Sequence, residues 1–369
     1  MRIAQVAPLE ERVPPALYGG TERVVSTLTE ALVRKGHEVT LFASGDSLSD
    51  ARLIPCCPRA LRLDSRSRNS IFHHVYMLER VLQLANQFDI IHFHLDHFHF
   101  PMARRLTTPC LTTFHNRLDR QDMNRFALEF FDLPVVAISE SHRRQRPLLN
   151  WAGVVHHGMD SDVLPMGDGS GGYLAVLGRM SLEKGVDTAI QVAIDSGIDV
   201  KIAAKVGVED EEYFHSVLEP LLDHPRVQYL GEIGQEEKGE FLGQAMAMLF
   251  PIRWPEPFGL VMIESLACGT PVVAYGQGSV PEVLEHGRTG YIVDTEEEMV
   301  RAVKRIQAGE IDRKRCRAAF EHRFSASRMA DDYLRIYWKL INRQRRTGRR
   351  EWKRSSRLPA NTTSLPPLH

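Results

Sequence analysis

The sequence predicts two doubly wound α/β domains. Three observations carry that expectation. Short apolar runs alternate with amphipathic helical stretches along most of the chain, the runs are apolar almost throughout, and a glycine-rich break divides them into two series. Near-continuous apolar strands mark parallel sheets covered by helices on both faces. Two such series give two sheets, each with its own helical layers. A length of 369 residues suits two domains of this kind.

The first series is RIAQVAP, HEVTLFA, DIIHFH, CLTTFH, VVAIS and VVHHG, assigned to a domain over 1–165. The second is YLAVLG, KIAAKV, VQYLGE, AMLFPI, PVVAY and GYIVD, assigned to a domain over 166–326. Between them lies PMGDGSGG (165–172). It resembles a dinucleotide fingerprint, but its glycines precede a strand instead of following one and opening a helix. A flexible linker is the better reading. A helix over 327–342 follows, with Met329, Tyr333, Ile336, Tyr337 and Leu340 on one stripe.

The last segment, 343–369, begins with the basic run RQRRTGRREWKR and ends in polar, proline-containing sequence. It cannot bury a core and is expected to be a solvated, disordered tail. Its functional reading is a weak electrostatic grip on anionic lipid through 343–357, with Trp352 at the interface.

Composition removes several function classes. The formal net charge is −1, so the chain lacks the basic field of a nucleic-acid-binding protein. No apolar run approaches the ~20 residues of a membrane span, and MRIAQVAP lacks the pattern of a signal peptide. Five cysteines occur without a C-x-x-C pair, which points to reduced thiols and a cytoplasmic location. The vicinal pair Cys56 and Cys57 leaves a redox role as the alternative.

The chemistry concentrates in RWPEPFGLVMIESLACGTPVV (253–273). Pro255 and Pro257 exclude helix around Glu256 and fix it in an extended turn. Gly259 lets backbone approach a ligand. From Leu260 the composition is helical, and a helix N-terminus offers free amides and partial positive charge to a phosphate. Glu264, one turn in, can accept two hydroxyl hydrogen bonds, as from a ribose diol. Its alternative is simple complementation of the helix dipole.

Glu256-x7-Glu264, with Pro-Phe-Gly between and ACGTP after, resembles the E-x7-E signature of the retaining glycosyltransferases of family 4. The resemblance covers 1–342 and implies the GT-B fold: two Rossmann-like domains facing a cleft, with the final helix crossing back to the first. It implies that Glu264 holds the ribose of a nucleotide sugar and Glu256 the donor sugar. The backbone of Phe258, Gly259, Leu260 and Val261 would line the sugar and diphosphate.

Further matches follow in order. GRMSLEKG (178–185) resembles the family's G-R-x-x-x-x-K-G element. Arg179 can fork onto the oxygens of a leaving diphosphate and Lys184 adds a point charge. YGGTE (18–22) resembles the glycine loop that closes over the donor from the first domain, through Gly19 and Gly20. His115, at the end of CLTTFH, matches the family histidine beside the donor sugar, and ligands of open α/β sheets bind beyond strand carboxyl ends. The backbone at Glu232 and Ile233 is implied to receive the base. GSVPE (278–282) resembles a turn packed near the donor, with Glu282 structural.

The run HFHLDHFH (92–99) is open to three readings: metal ligation, acceptor contact through His94 and Asp96, or structural filling, which is favoured. In HHGMD (156–160), His157 stands where the family commonly has asparagine, which weakens any role for that turn.

The resemblance implies metal-independent transfer of a sugar, UDP-glucose being the first expectation, to a glycan, lipid or small-molecule acceptor. Neither a metal nor another cofactor is expected. Arg179, Lys184, Glu256 and His115 would stand at the reaction centre. A nucleotide-sugar epimerase or a non-catalytic nucleotide-sugar-binding protein of the same fold is the alternative.

Overall fold

A computed structural model of the chain describes residues 1–17, 19–64 and 69–347. Tyr18 and the segment 348–369, with Trp352, lie outside the described residues. So does most of the expected membrane-contacting stretch.

Two parallel sheets organise the molecule. The first contains β1 (Arg2–Val6), β2 (Glu38–Ser44), β3 (Arg52–Cys57), β4 (Ile90–Phe93), β5 (Cys110–Thr113), β6 (Pro134–Ala137) and β7 (Asn150–Val154) in the order β3-β2-β1-β4-β5-β6-β7. The second contains β8 (Leu174–Arg179), β9 (Val200–Lys205), β10 (Val227–Gly231), β11 (Ala247–Phe250), β12 (Val272–Tyr275) and β13 (Gly290–Val293) in the order β10-β9-β8-β11-β12-β13. In each sheet the chain reverses its direction of spread beside the first strand, between β1 and β4 and between β8 and β11. Such a switch point leaves a crevice at the strand carboxyl ends.

Two strands differ from the expectation. β3 is not among the apolar runs read as strands, and it contains Pro55, a residue that argues against a strand. It is tolerated here because β3 is the edge strand, bonded only to β2, and the register slips beside it. The last strand of the first sheet is NWAGV, not VVHHG. Val154 ends it, and the two histidines continue as loop. Their polar rings are not sheet filling but face the region between the domains.

The expected flexible linker is also corrected. Gly167, Gly169 and Gly171 donate backbone hydrogen bonds to Cys268, Gly243 and Gln244. Arg313 Nε adds a bond to the Gly167 carbonyl. The segment is stitched onto the second domain, and its glycines serve close backbone contact instead of freedom.

Among the described residues the core comprises three clusters. Two cover the faces of the first sheet and one fills the second domain. The final helix, Ala326–Thr347, extends five residues past the expected end and takes in the first basic residues. Its apolar stripe of Met329, Ala330, Tyr333, Ile336, Tyr337 and Ile341 joins the first-domain cluster holding Val24, Leu28 and Ala31 of the Gly20–Arg34 helix. Each large side chain buried on that stripe contributes about 2 kcal/mol before ordering costs.

Candidate functional site

A cleft of about 700 Å³ lies between the sheets. Its walls follow the carboxyl ends of β1, β4 and β5 on one side and β8, β9, β10 and β11 on the other. Every residue singled out above as a donor or acceptor contact lines it.

The second-domain wall is charged. Its centre is the Leu260–Ala267 helix, apolar on nearly all sides and therefore buried. Gly259 enters it at φ +76°, the left-handed conformation that glycine adopts without strain. The preceding turn is held from below by residues 278–279. The Ser279 amide donates to the Glu256 carbonyl at 3.0 Å, and Ser279 Oγ donates to the Phe258 carbonyl at 2.7 Å. A Cβ on Gly278 would stand 2.3 Å from the Glu256 nitrogen, so only glycine permits this packing.

Both glutamates carry a lysine. Lys184 Nζ donates to Glu256 Oε2 at 2.6 Å, and its ammonium lies over the rings of Phe250 and Trp254 at 5.6 and 5.5 Å. Lys238 Nζ donates to Glu264 Oε1 at 2.8 Å, and Glu264 is buried. A carboxylate removed from water needs such a partner. Arg179 pairs with Glu209 at 2.7 Å, with Glu183 and Asp210 near 4 Å. The arrangement places three cations and a helix N-terminus around one space, a natural receptor for a diphosphate.

The first-domain wall carries Glu10, Glu11, Arg62 and Arg117, but its patch around His115 is neutral. The Gly20–Arg34 helix points its N-terminus at that of Leu260–Ala267, and Leu260 Cδ1 stands 3.4 Å from where a Gly20 Cβ would lie. His115 is half-buried, and burial, helped by the charge of His142, pushes its pKa down to about 3. Its Nε2 lies 2.9 Å from His94 Nδ1. Its ring stacks on His157 with centroids 5.3 Å apart, and His157 meets the edge of Phe258 at 4.8 Å. His157 is thus a piece of the site wall, joining His115 to the glutamate turn.

Neither ring nitrogen of His94 is available to an acceptor: Nε2 bonds Gln5 and Nδ1 bonds His115. Asp96 accepts from Asn116 Nδ2 at 2.7 Å, and burial raises its pKa. His92 bonds Tyr337 and Thr113, and His99 bonds Thr112. Among the described residues no three His, Cys, Asp or Glu side chains cluster so as to hold a metal ion.

Several site residues escaped the sequence reading. Lys238 sits among the glutamates of the Gln235–Gln244 helix, where it resembles any solvated charge. Glu22 is buried, and burial raises its pKa to about 7. It lies in the quoted YGGTE, so the signal was present. Arg23 is lowered by burial and is opposed in this by the nearby charge of Glu264. Arg117 crosses the cleft, bonding Glu183 at 3.2 Å and lying 5.2 Å over Trp254.

A second strut joins the domains beside the site. Glu282 accepts from the amides of Glu140 and Ser141, both at 2.7 Å, and from His156 Nε2 at 3.2 Å. Burial alone would raise its pKa, but these donors outweigh it and hold the carboxyl below the ordinary value. Ser139 Oγ adds a bond to the Pro257 carbonyl at 2.7 Å.

Comparison with known proteins converges on one family. Residues 18–158 match Glycosyltransferase Family 4, and residues 168–323 match Glycosyl transferases group 1. The chain is 25% identical to a phosphatidyl-myo-inositol mannosyltransferase of Mycobacterium leprae, over 91% of its own length and 96% of the relative's. It is 32% identical to an N-acetyl-alpha-D-glucosaminyl L-malate synthase of Bacillus anthracis, but that alignment spans only 31% of either protein. The structure of Anabaena HepE in complex with UDP-glucose superposes with a TM-score of 0.71 at 16% identity, over 92% of this chain and all of that one. The chain belongs to glycosyltransferase family 4 and has the GT-B fold.

Proposed function

We propose that the protein is a retaining glycosyltransferase that moves a hexose from a nucleoside-diphosphate sugar to an acceptor hydroxyl without a metal ion. One observation carries the reading: Glu256 and Glu264, each with a lysine, flank the N-terminus of the Leu260–Ala267 helix inside the cleft. UDP-glucose is the first donor to try, and the same fold in complex with UDP-glucose in HepE supports that choice.

In this reading the diphosphate sits on the amides of Phe258 to Val261, flanked by Arg179 and Lys184. Glu264 takes the ribose hydroxyls and exchanges its bond to Lys238 for them. Glu256 takes hydroxyls of the sugar, and the backbone at Glu232 and Ile233 meets the base. As the glycosidic bond breaks, negative charge grows on the diphosphate, where the cations and helix N-terminus already stand. Donors aimed at developing charge lower a barrier because they need no reorganisation. The leaving diphosphate can then accept the proton of an acceptor hydroxyl arriving on the same face. Closing of the domains expels water and limits hydrolysis.

The test is incubation of the purified protein with UDP-, GDP- and ADP-hexoses in the presence of EDTA. Slow release of nucleoside diphosphate and free hexose is expected, and, when a cell extract supplies the acceptor, an α-linked product from an α-linked donor. An epimerised nucleotide sugar, a bound donor that never turns over, or complete loss of activity with EDTA would each defeat the corresponding part of the reading.

A further inference from the structure

A buried chain of hydrogen bonds runs from the final helix to the cleft, and neutral groups make up all of it. Gln5 Nε2 lies 3.1 Å from the Tyr337 hydroxyl, and Gln5 Oε1 lies 2.7 Å from His94 Nε2. His94 Nδ1 lies 2.9 Å from His115 Nε2. On the other branch the Tyr337 hydroxyl meets His92 Nδ1 at 2.7 Å, and His92 Nε2 meets Thr113 Oγ1 at 2.8 Å. Gln5, His92, His94 and Tyr337 are at most 2% exposed.

The chemistry of the groups gives the chain a direction. An amide oxygen only accepts, so His94 carries its hydrogen on Nε2. A neutral imidazole then has a bare Nδ1, which accepts from His115 Nε2–H. His115 therefore has a bare Nδ1. The amide nitrogen of Gln5 donates to Tyr337, whose own hydrogen goes to His92 Nδ1. His92 then donates from Nε2 to Thr113. Every bond is satisfied in this sense. Reversing the Gln5 amide would reverse each bond and put a hydrogen on His115 Nδ1. That nitrogen is itself buried and has no hydrogen-bond partner, on a residue that lines the cleft.

We infer that Gln5 is a positioning residue: acting through His94, it fixes His115 as the Nε2–H tautomer and leaves Nδ1, buried and unpartnered in the free protein, as the acceptor for a hydroxyl of the bound sugar once the wall around it moves to admit the donor. Burial keeps the imidazoles neutral, which preserves the donor–acceptor alternation. The final helix takes part because Tyr337 holds the Gln5 amide in one orientation. The ligand half of this inference rests on the nucleotide-sugar reading above, and the tautomer half does not.

The test uses the full chain with 15N-labelled histidine and His115→Asn as the assignment control. NMR of the free protein should show His115 protonated at Nε2 and bare at Nδ1. In Gln5→Glu, a carboxylate beside His94 draws a proton onto that ring, so His94 donates at both nitrogens. His115 should then switch to the Nδ1–H form. UDP-glucose should bind about tenfold more weakly to this variant, with UDP affinity unchanged. If Gln5→Glu does not fold, Tyr337→Phe frees the amide, and both His115 tautomers should appear. A wild-type His115 protonated at Nδ1, or a tautomer that ignores both substitutions, overturns the inference. Equal loss of UDP and UDP-glucose affinity overturns its ligand half. Failure to bind UDP at all defeats the nucleotide-sugar reading while leaving the tautomer result standing.

Discussion

The two walls of the cleft solve opposite problems. The second-domain wall is built of full charges, with Lys184 on Glu256, Lys238 on Glu264 and Arg179 among carboxylates. The first-domain wall adds to its own charges, Arg62 and Arg117 among them, a neutral patch of His94, His115 and His157, backed by His92, His99 and His142, whose burial holds all six rings below the ordinary pKa. A charged wall can meet phosphates and hydroxyls without rearranging. A neutral patch can stand close to a sugar without adding charge to the reaction centre. The difference should show most strongly in acid.

These six histidines have folded-state pKa values below the ordinary value of about 6.5. His115 lies at about 3 and His142 at about 4, with burial the main cause in both. A depressed pKa contributes stability above about pH 6.5 that is lost as pH falls toward the folded value. Each such group takes away up to about 1.4 kcal/mol per pH unit in that window. The second-domain histidines His215, His286 and His322 are exposed, and His224 is half-buried. The first domain should therefore open before the second between about pH 6 and 5. Hydrogen exchange followed by peptide, at stepped pH, checks this. Second-domain peptides exchanging first would break the comparison.

The next effect is catalytic. Lys184→Ala removes a charge aimed at the leaving diphosphate and should lower kcat by about 10²–10³, as loss of one preorganised donor does elsewhere. A kcat within threefold of wild type would remove Lys184 from the reaction centre. Smaller still is the contrast between the glutamates. Glu264→Ala should weaken UDP binding by about 100-fold, through loss of hydrogen bonds to a charged group. Glu256→Ala should depress turnover more than donor binding. Calorimetric titration beside steady-state kinetics separates the two, and the reverse pattern would exchange their roles.

How far these walls were legible in the sequence follows from their physics. The charged wall is local: Pro255, Pro257, Gly259 and both glutamates lie within a dozen residues, so spacing alone reveals turn, helix start and carboxylates. Lys238 was hidden because its partner is 26 positions away. The neutral patch is long-range. His92 joins Tyr337 across 245 positions and Gln5 joins Tyr337 across 332. Nothing in the run HFHLDHFH distinguishes satisfied buried rings from ligands. The sheets were legible from apolar runs, whereas β3, which carries a proline that only an edge position permits, is not among them. The linker was misread because glycine marks close backbone packing as readily as flexibility.

The smallest effect sharpens the boundary between the walls. Glu22 lies in the first turn of the Gly20–Arg34 helix, is 6% exposed, and lines the cleft from the first domain. Burial raises its pKa from 4.5 to about 7. Its own backbone amide opposes the shift, and the charges of Glu10 and Glu11 add to it. With the folded value above the unfolded one, the native state holds the proton more tightly. Stability is therefore unaffected below about pH 4.5, declines as pH rises toward 7, and stays reduced above. The full penalty is at most about 3 kcal/mol. Glu22→Gln, which keeps the shape and removes the charge, should raise the melting temperature by a few degrees at pH 8 and leave it unchanged at pH 5. An equal shift at both pH values would mean that packing, not ionisation, decides the result. No gain at pH 8 would mean that the carboxylate finds compensation in the cleft, where Arg23, Arg62 and Arg117 also line the first-domain wall.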